Sequence, residues 1–180
     1  LITYKEKNIV DIPMQEHVKN IGYVMQHAIN QFVMPTLEEE IIFALENLCL
    51  EAQVINEKLE YALSITKTKE LANKHIHTLS GGERQRIAFA RSIIQDNELL
   101  LLDEPTVGLD PKTEHELLTT IFESSKDKTI VWITHHLNSI EYMDRIIFIK
   151  DGEIEMDGSH RELYENNEKY KKLYDMDNIK

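Results

Sequence analysis

The stretch Leu79–Asp110, LSGGERQRIAFARSIIQDNELLLLDEPTVGLD, decides the fold. Ser80 and Glu83 have capping-box spacing, so a helix opens here and runs to about Ile94, where Asp96-Asn97 breaks it. Leu99 to Leu102 is an apolar run too short for a core helix, which predicts a strand buried on both faces. A helix start presents unpaired N–H groups and a positive dipole end, and glycines let a phosphate reach the backbone. Ser80, Gly81, Gly82 and Glu83 are therefore candidate anion-binding residues, although S-x-x-E alone also marks an ordinary capped helix. Asp103 and Glu104 end the strand, where open α/β sheets place their ligands. One carboxylate there can neutralise a cation while its neighbour accepts a proton. Two adjacent acids alone would equally describe a solvated turn. Asp110, before Pro111, can cap the next helix or face a second subunit, and the two roles are compatible.

Outward from this stretch, Ile21 to Met25 reads as a short strand and Gln26 opens a loop closed by Pro35. Thr36 and Glu39 repeat the capping-box spacing ahead of a helix carrying Leu37, Ile41, Ala44, Leu45 and Leu48, with a second helix over Glu57 to Ser64. Residues 112–124 read as a helix, Thr129 to Thr134 as another buried strand, and Asn138 to Met143 as a short helix. Arg145 to Lys150 is a strand turned by Asp151-Gly152 into Glu153–Met156. Ser159 and Glu162 open one last amphipathic helix bearing Leu163, Tyr164, Tyr170 and Leu173. Strands alternating with helices predict an α/β fold, a mostly parallel sheet with covered faces and a helical subdomain inserted between Gln26 and Leu99.

In order and spacing, LSGGE, LLLLDE and GLD resemble the signature, Walker B and D-loop motifs of the nucleotide-binding domain of ABC transporters. Two further residues fit the same pattern. Gln26 follows IGYVM as the family's Q-loop glutamine does, and Thr134-His135 follows VWIT as its switch histidine does. The resemblance implies the P-loop NTPase fold, with residues 1–35 and 95–180 as α/β core and 36–94 as the helical signature subdomain. It implies ATP and Mg²⁺ as cofactors. Asp103 would hold Mg²⁺ through water, Gln26 would ligate it, and Glu104 would polarise the attacking water. His135 would donate to the γ-phosphate. Ser80, Gly81, Gly82, Glu83 and Asp110 would meet nucleotide carried by a second such domain, identical or not. The other implied partner is a transmembrane domain or subunit, which puts the chain on the cytoplasmic side of the cell membrane. His136 falls outside the pattern and reads as surface.

One motif is absent. None of the six glycines has the spacing of G-x-x-x-x-G-K-[ST], the cradle for the β- and γ-phosphates. The family places it upstream of the Q-loop, so the start at Leu1 reads as a truncated one. Residues 21–48 resemble ATPases of energy-coupling-factor importers, whereas residues 98–174 resemble the cysteine and glutathione exporter subunit of cytochrome bd assembly. A non-hydrolysing ABC-type partner protein, and a soluble ATPase of ribosomes or DNA repair, are the readings outside transport.

Bulk properties agree with a single globular domain. The 180 residues are 42% hydrophobic and 29% charged, with net charge −12, which disfavours a nucleic-acid surface. No run of about 18 apolar residues exists to span a bilayer. The single cysteine, Cys49, excludes an internal disulfide, and its place after Leu48 in an apolar-rich helix suggests packing.

Overall fold

The computed structural model describes residues 2–137 and 139–177, in two compact units, Leu1–Ile133 and Thr134–Lys180. In the first unit a short hairpin, β1 (Thr3–Tyr4) and β2 (Lys7–Asn8), turns through Lys5 and Glu6, both at positive φ. Helix α1 (Met14–Asn20) leads into β3 (Ile21–Val24). Neither the hairpin nor α1 stands out in the sequence pattern, because both are short and largely exposed.

Three helices follow: α2 (Leu37–Glu46), α3 (Ala52–Ile65) and α4 (Gly81–Ile93). Both expected capping boxes are formed, Thr36 with Glu39 and Ser80 with Glu83. Helix α3 starts at Ala52 rather than Glu57, a full turn earlier than its apolar periodicity announces. Cys49 lies beyond the end of α2 at φ 56 and is exposed, so the expectation of a packed cysteine is wrong.

Strand β4 (Leu99–Asp103) lies between β3 and β5 (Thr129–Ile133), parallel to both, with α5 (Pro111–Ser124) as the crossover between β4 and β5. Register sets Gly22, Leu100 and Ile130 in one row and Val24, Leu102 and Trp132 in the next. These rows join the apolar residues of α4 and α5 in one core, and Trp132 stacks on Phe122 of α5 with ring centroids 6.2 Å apart. The opposite face is not covered as expected. Tyr23 and, on β5, Val131 and Ile133 are each more than 40% exposed, while Leu99 and Leu101 of β4 between them are half-buried. The alternation of β5, with every second residue exposed, follows from this.

The second unit stands on β6 (Ile146–Lys150) and β7 (Glu153–Gly158), an antiparallel pair turned at Asp151 and Gly152, both at positive φ as a tight hairpin requires. Asn138 lies outside the described residues, and the helix expected there is a single 3-10 turn, Ile140–Tyr142. The expected last helix is two, α6 (His160–Asn166) and α7 (Glu168–Asp177). Asn167 breaks the run, its Oδ1 accepting from the N–H groups of Lys169 and Tyr170 to start the second. The Tyr170 hydroxyl, 2.9 Å from His160 Nδ1, is pushed up to about 12 by burial and then by Tyr174.

Gly22 tests the packing of β3. A Cβ there would come within 2.3 Å of the Asn97 side-chain nitrogen and 2.7 Å of Leu100 Cδ2. Gly22→Ala is expected to cost about 1–3 kcal/mol, read as a lower urea midpoint.

Candidate functional site

The C-terminal ends of the parallel strands gather three of the expected residues. Asp103 closes β4 and Glu104 follows it at φ 45, a left-handed conformation that costs a non-glycine residue about 1–3 kcal/mol. The neighbouring backbone holds it there. The Glu104 N–H donates to Ile133 O at 2.8 Å, and its carbonyl accepts from Val107 N at 3.2 Å. Gln26, just past β3, reaches across so that its Nε2 donates to Glu104 Oε2 at 2.5 Å. Tyr23 Oη stands 3.5 Å from Asp103 Oδ2. Residues about 80 positions apart in sequence are thus joined at one strand end.

Gln85 of α4 was not anticipated. It is 4% exposed and donates from Nε2 to the Gln26 carbonyl at 3.1 Å. A glutamine inside the apolar stripe of a helix was the available signal.

At the start of α4 the Ser80 hydroxyl and N–H both donate to Glu83 Oε2 at 2.7 Å, while the Glu83 N–H is bonded to Ser80 Oγ at 3.3 Å. Glu83 is held below its ordinary carboxyl value, first by the Ser80 hydroxyl and then by the Ser80 N–H. The N–H groups of Gly81 and Gly82 take no part in this box. A Cβ on Gly81 would meet nothing within 4 Å, so that residue leaves room for an approaching anion. Gly82 differs, because a Cβ there would lie 2.6 Å from Thr113 Cγ2. Its small size lets α4 sit against the start of α5.

Asp110 is the N-cap of α5. Its Oδ1 accepts from the N–H groups of Lys112 and Thr113 at 3.1 Å, and its Oδ2 accepts from the Thr113 hydroxyl at 2.5 Å. Thr113 lowers its carboxyl, through the hydroxyl first and the N–H second.

His135 lies in the second unit. It is exposed, with its ring centroid 4.1 Å from that of His136. His136, expected at the surface, is half-buried, and its N–H donates to Thr134 Oγ1 at 3.0 Å.

Among the described residues no three His, Cys, Asp or Glu side chains converge on a metal position. The strand end offers instead the hard oxygens of Asp103 and of the Gln26 amide. That small donor set fits Mg²⁺, which takes one or two protein oxygens and completes its octahedron with water and phosphate. No helix among the described residues is long and apolar enough to cross a membrane.

Comparison with known proteins gives the same grouping. The pattern of the ABC transporter family matches residues 1–107. Over 98 residues, 54% of this chain and 17% of the relative, the sequence is 58% identical to the glutathione/L-cysteine transport system ATP-binding/permease protein CydD of Bacillus subtilis. Over 154 residues, 84% of this chain and 56% of the relative, it is 36% identical to the energy-coupling factor transporter ATP-binding protein EcfA1 of Caldanaerobacter subterraneus. The chain thus spans little more than half of the second relative and about a sixth of the first. The solved structure of cbiO1 from Clostridium perfringens, part of the ABC transporter complex cbiONQ, aligns with a TM-score of 0.79 at 26% identity, covering 95% of this chain and 70% of that one.

Two outcomes follow for the helix starts. Gly82→Ala is expected to lower stability by about 1–2 kcal/mol through the clash with Thr113, whereas Gly81→Ala stays within about 0.5 kcal/mol of the parent, both by thermal denaturation. Because Asp110 is held below its ordinary value, its contribution is complete above that value. It disappears as pH falls through the lowered one. Asp110→Ala should therefore lower the melting temperature at neutral pH and flatten its decline at acid pH.

Proposed function

The chain belongs to the ABC transporter family and has its ATPase fold, and on that premise we propose that it is part of an ATP-hydrolysing subunit that drives membrane transport. The observation that carries the reading is the Gln26–Glu104 bond of 2.5 Å beside Asp103, at the open end of a parallel sheet. Asp103 and the side-chain amide oxygen of Gln26 would hold Mg²⁺. The chemistry supplied by such an ion would be neutralisation of phosphate charge during transfer. Glu104, turned out by its left-handed backbone, accepts a proton from a water. Gln26 orients that carboxylate by donating to its Oε2. His135 donates to the terminal phosphate.

The start of α4 serves another site. Gly81 and Gly82 donate N–H groups to phosphate carried by a second ATPase domain, and Ser80 adds its hydroxyl once released from Glu83. Asp110 both caps α5 and borders that second domain. In this reading residues 1–35 and 95–180 form the α/β core and 36–94 the helical part of one domain. The domain works on the cytoplasmic side of the cell membrane against a transmembrane partner. The transported class is cysteine or glutathione, which the 58% identity over 98 residues favours; the outward direction rests on the exporter resemblance of residues 98–174. A second reading, an importer ATPase of the energy-coupling-factor kind, is favoured by the 36% identity over 154 residues.

The phosphate cradle is not in residues 1–180, so this chain alone is expected to show no ATP turnover. Mixed with an ABC ATPase domain that has a cradle, it should associate in an ATP-dependent way by sedimentation. Gly81→Asp, which sets a carboxylate where phosphate docks, should weaken that association at least about tenfold, or 1.4 kcal/mol. A Glu104-dependent ATPase rate from the chain alone would sink the assignment of roles. So would an association indifferent to ATP and to Gly81→Asp.

A further inference from the structure

The loop from Met25 to Pro35 is held by buried polar side chains of the two helices beneath it. Glu40 of α2 is fully buried, and its Oε2 accepts from the N–H groups of both Val33 and Met34 at 2.8 Å. Its Oε1 makes no hydrogen bond among the described residues and faces Arg91 Nε of α4 at 3.3 Å. Arg91 in turn donates from Nη1 to the Gln31 carbonyl at 2.7 Å. The side chain of the same Gln31 accepts from Met25 N at 2.9 Å. Gln85, six residues before Arg91 on α4, donates to the Gln26 carbonyl. Both ends of the loop and its middle are therefore tied to α2 and α4 by three side chains.

A buried carboxylate is a costly way to stabilise a helix, and an apolar residue at position 40 would pack without desolvating a charge. What the charge supplies is direction. Two backbone N–H groups and one guanidinium converge on a single side chain, which restricts the loop to one path. That path delivers Gln26 to Glu104.

We propose that Glu40, acting through Arg91 and the Val33–Met34 backbone, is a positioning residue that sets where Gln26 stands against Glu104. Gln85 ties the start of the same loop to α4. This rests on the ATPase reading for its meaning, since it ties the residue serving one nucleotide to the helix start serving another. The geometry itself can be tested without nucleotide.

The test is solution NMR of the whole chain. Glu104→Gln first establishes how far the Gln26 side-chain amide resonance depends on the Glu104 carboxylate. In Glu40→Ala, amide exchange at Val33 and Met34 should rise at least tenfold, and the Gln26 side-chain amide should move to the position of a solvated glutamine. Protection along α5 should be unchanged. Glu40→Gln keeps an acceptor for the two N–H groups but loses the charge facing Arg91. It should give an intermediate Gln26 shift, and it decides the matter if Glu40→Ala does not fold. If Gln26 keeps its Glu104-bonded resonance in the variant that folds, Glu40 is structural only and the proposal is overturned. Failure of ATP-dependent association would leave this result standing, and the reverse also holds.

Discussion

The central position of β4 is the constraint on which the rest depends. A strand paired on both edges in parallel cannot slip by one residue without exchanging Leu100 and Leu102 for Leu99 and Leu101 in the core. Fixing that register fixes the strand end, and hence the place where Asp103 and Glu104 emerge. The Ile133 carbonyl of the neighbouring strand then takes the Glu104 N–H and holds its backbone in the left-handed region. Strain at that residue is sustained by the strand pairing beside it.

The residues of the two helix starts divide into those that cap by hydrogen bonds and those that act by shape. Ser80 with Glu83 and Asp110 are helix caps, satisfied by their own turns. Gly82 is a spacer, and its lack of a side chain lets two helix starts, α4 and α5, come close. The same short motif thus does two kinds of work. Gly81 leaves backbone open to an anion, while Gly82 leaves room for a helix.

Much of this was legible because caps and turns are local. S-x-x-E, T-x-x-E and Asp-Gly each settle their geometry within four residues, and all formed where the sequence placed them. What escaped was decided at a distance. Glu40 reads as one of three acids in the first turn of a helix, and only the fold shows it buried under Val33 and Met34. Apolar composition suggested that β4 and β5 are covered on both faces, but composition does not say which neighbour covers which face. Asn167 was invisible as a helix break because the tyrosine periodicity runs through it, although its side chain restarts the next helix.

The stacking of Trp132 on Phe122 also gives the chain a built-in optical division. Trp132 is the single tryptophan and belongs to the first unit, in the row of β5 that faces α5. The second unit has no indole, and its aromatic core is built from tyrosines, Tyr164, Tyr170 and Tyr174, around His160. Emission excited at the red edge of the indole band therefore reports the parallel sheet alone. Tyrosine absorbance is shared between the units, because Tyr4, Tyr23 and Tyr61 lie in the first. Indole emission from the unlabelled chain thus follows the melting of the first compact part by itself.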